Sequence, residues 1–165
     1  MSKVSIGDHA LLSDCQTAAL VSRDGSVDWY CPPRFDAPSV FARLLDNDGG
    51  HWSIRPVGEF DTERSYLGET MVLRTEFRTE GGRVALTDAL ALEEGARGHD
   101  IGQRSPHILL RRIEGVEGEV ELEVEFAPRL EYALTVPLLT PTGGGAGVAT
   151  RGGPVELLLS PADAP

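Results

Sequence analysis

The sequence predicts an all-β fold, an antiparallel β-sandwich with one short helix. Seven or more segments alternate apolar and polar residues with a period of two, and hairpin-type turns join them. Helical periodicity occurs in only one stretch, over about nine residues. Strands that follow one another through short turns form antiparallel sheets, which bury their apolar faces by stacking. At 165 residues the chain has the size of one domain, enough to bury around two thirds of its unfolded surface.

In chain order, residues 4–12 are apolar enough for an edge strand. Residues 17–31 form two short apolar runs around Asp24-Gly25, a pair suited to a type I′ turn because both central residues need positive φ. That turn would set Leu20 opposite Trp29, Ser22 opposite Val27 and Ala19 opposite Tyr30, with Asp28 pointing off the hairpin. Pro32-Pro33 ends the second strand, since neither proline can donate to a ladder. Arg34-Phe35-Asp36 follows as a short non-repetitive segment. Ala37, Val40, Phe41, Leu44 and Leu45 then recur at helical spacing. Pro38 suits a first turn and Asp36 can cap it, so a helix is expected over residues 37–45, stopped by the Asp- and Gly-rich residues 46–50.

Residues 51–56 read as a strand with Trp52 and Ile54 on one face. Residues 57–65 are polar and read as loop. Residues 71–78 alternate as a half-buried strand, and Gly81-Gly82 turns the chain, setting Phe77 opposite Leu86 and Thr75 opposite Asp88. Asp88 then faces inward with Val84, Leu86, Leu90 and Leu92. An inward carboxylate needs hydrogen-bond donors or a cation, because leaving it unpaired costs several kcal/mol. Residues 93–105 form a charged, Gly-rich loop, residues 107–113 a strand and residues 114–118 a turn. Val120, Leu122, Val124 and Phe126 face in while Glu119, Glu121, Glu123 and Glu125 face out, a solvated row that discourages edge pairing. A further strand is expected over residues 130–136, a flexible hairpin connection over residues 140–153, and a last strand over residues 155–159.

Two stretches carry more than a fold. I-G-D-H-A-L-L-S-D-C-Q-T-A-A-L-V (residues 6–21) and S-R-D-G-S-V-D-W-Y-C-P-P-R-F-D-A-P-S-V-F-A-R-L-L-D (residues 22–46) closely resemble the start of the bacterial family-15 glycoside hydrolases, the glucoamylase and trehalase-like enzymes. Y-L-G-E-T-M-V-L-R-T-E-F (residues 66–77) and R-V-A-L-T-D-A-L (residues 83–90) are similar to the same domain, less distinctively. The resemblance implies a supersandwich-like N-terminal domain over residues 1–165, cut before its last strands and before the catalytic (α/α)6 barrel. Such enzymes are inverting hydrolases, with an acid and a base carboxylate roughly 6.5–9.5 Å apart. No residue here corresponds to either catalytic glutamate. The implied function is a noncatalytic domain of an α-glucoside hydrolase, packed on the barrel of the same polypeptide. The alternative is a self-standing sandwich that binds carbohydrate or protein.

The candidate substrate-binding residues are Trp29, Arg34, Phe35 and Asp36. Aromatic faces suit the C–H side of a sugar ring, while charged groups fix its hydroxyls. Arg34 and Asp36 around one aromatic residue, on a segment stiffened by Pro33 and Pro38, would form a preorganised clamp. The other reading makes Trp29 and Phe35 core and Arg34–Asp36 a local ion pair.

No cofactor or metal is expected. His9, His51, His99 and His107 share no ligand spacing, Asp46 and Asp48 lack the rest of a calcium loop, and the glycines of residues 140–153 lack a following Lys-Ser/Thr. The chain has 26 acidic and 15 basic residues, a net charge of −11, which disfavours nucleic acid and anionic membrane as partners. No signal peptide or spanning segment is evident, so a cytoplasmic protein is expected. In that setting Cys15 and Cys31 are expected as two buried thiols rather than a disulfide.

Overall fold

The computed structural model describes residues 5–145 and 147–161. Val4, at the start of the first expected strand, lies outside them. Nine strands build the sandwich: β1 (Ala10–Ser13), β2 (Ala18–Val21), β3 (Ser26–Tyr30), β4 (His51–Pro56), β5 (Asp61–Tyr66), β6 (Leu73–Arg78), β7 (Gly82–Leu90), β8 (Leu109–Gly118) and β9 (Leu122–Ala127). One sheet has the order β1-β2-β3-β4-β9 and the other β5-β6-β7-β8, and every pairing is antiparallel. A third, small sheet consists of β10 (Leu138–Thr142), β11 (Gly147–Arg151) and β12 (Leu158–Leu159).

The core lies between the two large sheets. Leu12, Val21, Val27, Tyr30 and Phe41 meet Leu73 and Leu90 from the facing sheet, and Ile54 meets Phe77, Val84 and Leu86. The small sheet joins through Val155 and Leu157, beside the fully buried Leu130.

The first hairpin pairs Leu20 with Trp29 and Ala19 with Tyr30 as expected, but Val27 pairs with Val21 instead of Ser22. A bulge inserts Asp28 as the extra residue, which puts Val27 and Tyr30 on one face and turns Asp28 inward. Asp28 is buried, accepting from Ser26 Oγ (2.5 Å) and lying 3.1 Å from His9 Nε2. Gly25 can make the turn because it is glycine: its φ is +79°, and a Cβ there would sit 2.4 Å from the Ile54 carbonyl oxygen.

The expected helix over residues 37–45 does not form. Val40, Phe41 and Ala42 are consecutive and all buried, a demand that a one-sided helical stripe cannot meet. The segment instead bonds along β3: Tyr30 N donates to Phe41 O (3.1 Å), Val40 N to Tyr30 O (2.9 Å) and Leu44 N to Asp28 O (3.0 Å). Besides three single-turn 3-10 helices, the one α-helix among the described residues is α1 (Leu130–Ala133), where a strand was expected, and Glu131 and Tyr132 in it have left-handed φ/ψ. Leu130 and Thr135 close this turn as an isolated bridge.

Other boundaries move for identifiable reasons. Residues 57–65 include the start of β5, whose polar face is held by side-chain bonds: Arg64 donates to Val21 O (3.0 Å) and Asp8 O, and Tyr66 Oη to Leu11 O (2.9 Å). Residues 114–118 continue β8, paired with β7 across a bulge between Arg83 and Val84. Phe77 opposes Val84, not Leu86, because the loop spans residues 79–82; a slip of two keeps every side chain on its expected face. Residues 140–153 hold most of a hairpin, β10–β11, while the last strand shrinks to Leu158–Leu159. Leu92 and Val124 were expected inside; both are exposed, Val124 because β9 ends its sheet.

Candidate functional site

β1 and β3 run towards the same end of the sandwich, as does β7. Three connections therefore gather there: the β1–β2 turn, the segment after Tyr30, and the long β7–β8 loop. Asp14 organises the first. Its Oδ1 accepts from Gln16 N (2.9 Å) and Thr17 N (2.7 Å), an Asx-type turn. Its Oδ2 accepts from Ser105 Oγ of the β7–β8 loop, and His107 Nδ1 lies 4.0 Å away. Gly102 of that loop packs where a Cβ would be 2.3 Å from Asp14 O.

The Arg34 segment docks on the same turn. After the cis Pro32–Pro33 peptide, Phe35 N donates to Gln16 O (2.9 Å) and Ala37 N to Arg34 O (3.0 Å). Arg34 Nε donates to Asp36 Oδ1 (3.0 Å). That bond, more than any other influence, holds the Asp36 carboxyl below its ordinary range. Phe35 between them is 61% exposed. Asp36 caps no helix; its structural partner is Arg34. The loop is convex, with two charged groups and one aromatic face displayed on a tethered backbone.

Trp29 sits elsewhere. It shares with Leu11 and Leu20 the face of the sheet away from the core, half-buried, its ring 6.2 Å from that of Tyr132. The structure thus joins Arg34, Phe35 and Asp36 and separates Trp29 from them.

A cavity of about 1060 Å³ opens at the opposite end between residues 57–61, 78–81 and 119–121. Glu59, Asp61, Glu80, Glu119 and Glu121 line it against one cation, Arg78. The glutamate row of β9 is partly paired: Glu123 with Arg55 (3.0 Å) and Glu125 with His51 (3.1 Å). Among the described residues no three metal-ligating side chains converge, and no helix is long and apolar enough to cross a membrane. Both cysteines are free thiols. Cys31 is buried, which pushes it up to about 11, whereas Cys15 is exposed at the tip of the Asp14 turn instead of buried.

Sequence reasoning passed over Asp14 and Arg111. The Asp-x-Gln-Thr turn pattern was a usable signal for Asp14. Arg111 has no local signal, because its partners are distant in sequence.

The family model described as "Trehalase-like, N-terminal" matches residues 1–162. The trehalase of Mycolicibacterium smegmatis is 39% identical over 140 residues, covering 77% of this chain and 20% of that protein. The trehalase of Mycobacterium tuberculosis is 38% identical over the same length and coverage. Trehalase 1 of Sulfolobus acidocaldarius is 36% identical over 124 residues, covering 74% of this chain and 19% of that protein. The chain therefore spans about a fifth of the length of these curated relatives. No solved structure matches it.

Proposed function

Since the chain belongs to the trehalase-like N-terminal domain family, we propose that it is the noncatalytic β-sandwich of an inverting α-glucoside hydrolase. In this reading residues 1–165 begin the domain, later strands complete it, and it packs on a catalytic barrel of the same polypeptide. The catalytic acid and base belong to that barrel, as do the contacts that select trehalose, starch-type glucans or dextrins. The setting is cytoplasmic, in keeping with two cysteines that are both free thiols.

The Arg34-Phe35-Asp36 loop lies at the rim of the sugar site. The observation that carries this is the convex display of Phe35 between a paired Arg34 and Asp36, anchored through Gln16. Such a loop has no pocket of its own and suits one supplied by a partner surface. Arg34 would donate to sugar hydroxyls, Asp36 would accept from them, and Phe35 would cover C–H bonds.

Arg34→Ala in the intact enzyme tests this. Loss of a charge-assisted hydrogen bond costs about 1.5–3 kcal/mol, or roughly ten- to a hundred-fold in kcat/KM. The melting temperature should barely move, because an exposed ion pair contributes about 0–1 kcal/mol. Unchanged kcat/KM with lowered stability would retire the loop as a site.

A further inference from the structure

From Tyr132 to Thr150 the chain carries no charged residue, although a quarter of all its residues are charged. This stretch includes the most exposed aliphatic run among the described residues. Leu134, Val136 and Leu138 are 85%, 68% and 69% exposed, while Thr135 is half-buried and Pro137 buried between them. Three large aliphatic side chains in this run thus face water. β10, which begins at Leu138, is an edge strand paired only with β11. Exposed edges are ordinarily blunted by charge or proline; this one has no charge, and its one proline, Pro141, lies beyond the exposed Leu138 and Leu139.

The run is also rigidly mounted. Glu131, Tyr132 and Ala133 have φ of 54°, 58° and 70°, a left-handed conformation that non-glycine residues rarely adopt. Leu130, wholly buried, and Thr135 hold the turn closed by a pair of backbone hydrogen bonds of 2.9 and 3.1 Å. Thr135 Oγ1 adds a bond to Glu131 Oε2 (3.0 Å), and Tyr132 rests on Trp29. Backbone strain kept in place by its surroundings is a mark of function.

We infer that the ridge Tyr132–Leu134–Val136–Leu138 is the docking surface for the catalytic part of the same polypeptide, covered by an apolar, uncharged face of it. The inference rests on the proposed domain role and adds the surface that role requires. The curated relatives extend to about five times the matched length, so in them most of the chain lies beyond this domain. A tethered partner acts at an effective concentration of about millimolar. A second copy of this chain has no such advantage, and two surfaces of net charge −11 repel. The ridge accounts for Trp29 as well, as the support under Tyr132 instead of a sugar platform.

Two experiments test it, using this chain and the full-length polypeptide that carries the domain. With Leu138→Cys in a Cys15→Ser background, a maleimide should label residue 138 readily in the 165-residue chain. Labelling should be slowed about ten-fold or more in the full-length protein, because undocking must precede reaction. Independently, Leu134→Ser with Leu138→Ser should leave the melting temperature of the short chain unchanged and lower that of the full-length protein. Equal labelling in both proteins would overturn the inference, and so would full protection in a longer chain that ends after the later sandwich strands and before the catalytic part, which identifies those strands as the occupant. So would protection that already appears in the short chain and rises with its concentration, which identifies a second copy as the occupant. If the double serine variant fails to fold, labelling alone decides. Protection at residue 138 together with normal kinetics for Arg34→Ala would keep the ridge and retire the sugar loop.

Discussion

Arg111, on β8, bonds to both large sheets. Its guanidinium is fully buried and binds Asp88 through Nε (2.9 Å) and Nη2 (3.2 Å). It also donates to Trp52 O and Gly25 O, both at 2.6 Å, and lies 5.0 Å from the Trp52 ring centroid. Asp88 and Arg111 come from one sheet, Trp52 and Gly25 from the other or its hairpin. Burial pushes the Asp88 carboxyl up and Arg111 pulls it back. A lysine could not reproduce the planar fork. Arg111→Met should destabilise the fold by about 3–5 kcal/mol, chiefly because Asp88 is left buried and uncompensated. Adding Asp88→Leu should recover part of that loss in urea unfolding. A single variant as stable as wild type would show that the pair is dispensable.

At the scale of elements, two carboxylates hold the β7–β8 loop. Asp14 takes Ser105, while Glu93 accepts from Gly102 N (3.2 Å) and Arg104 N (3.3 Å). Glu93 sits below its ordinary range, through its own backbone amide first and the loop amides after. A depressed acid contributes stability that is complete above its unfolded value, about 4.3. The contribution disappears as pH falls through the lower folded value. Amide exchange at Gly102 and Arg104, corrected for intrinsic rates, should therefore accelerate on acidification below about pH 4.3. Glu93→Gln should abolish the pH dependence; persistence of the same profile would show that Glu93 is not its source. Gly102 itself has no alternative, with φ +83° and no room for a Cβ.

For the whole molecule, the proposed division of labour predicts that this chain alone releases no glucose from trehalose, maltose or starch. Its inward carboxylates already have structural partners: Asp14 has backbone amides and Ser105, Asp28 has Ser26 and His9, and Asp88 has Arg111. None is left as a matched acid and base across a cleft. Reproducible glucose release by pure chain, abolished by Asp36→Ala, would establish a dyad within this domain.

The sequence by itself determined the all-β class, the Leu20–Trp29 hairpin, the inward Asp88 and its need for hydrogen-bond donors or a cation, and the exposed Arg34-Phe35-Asp36 segment. Each follows from local signals: period-two alternation, an Asp-Gly turn, or prolines that end a ladder. Tertiary structure decided where local signals were ambiguous. Residues 37–45 have helical spacing, yet the core needed Val40, Phe41 and Ala42 together, and long-range backbone bonding to Tyr30 overrode the periodicity. β5 carries no apolar stripe, so only its ladder with β6 and its bonds to the facing sheet reveal it. That Arg111 would be the cation for Asp88, and that Ser105 would reach Asp14 across 91 residues, depended on which strands became neighbours. Pairing across such distances is set by the packing of whole sheets, which no short window of sequence contains.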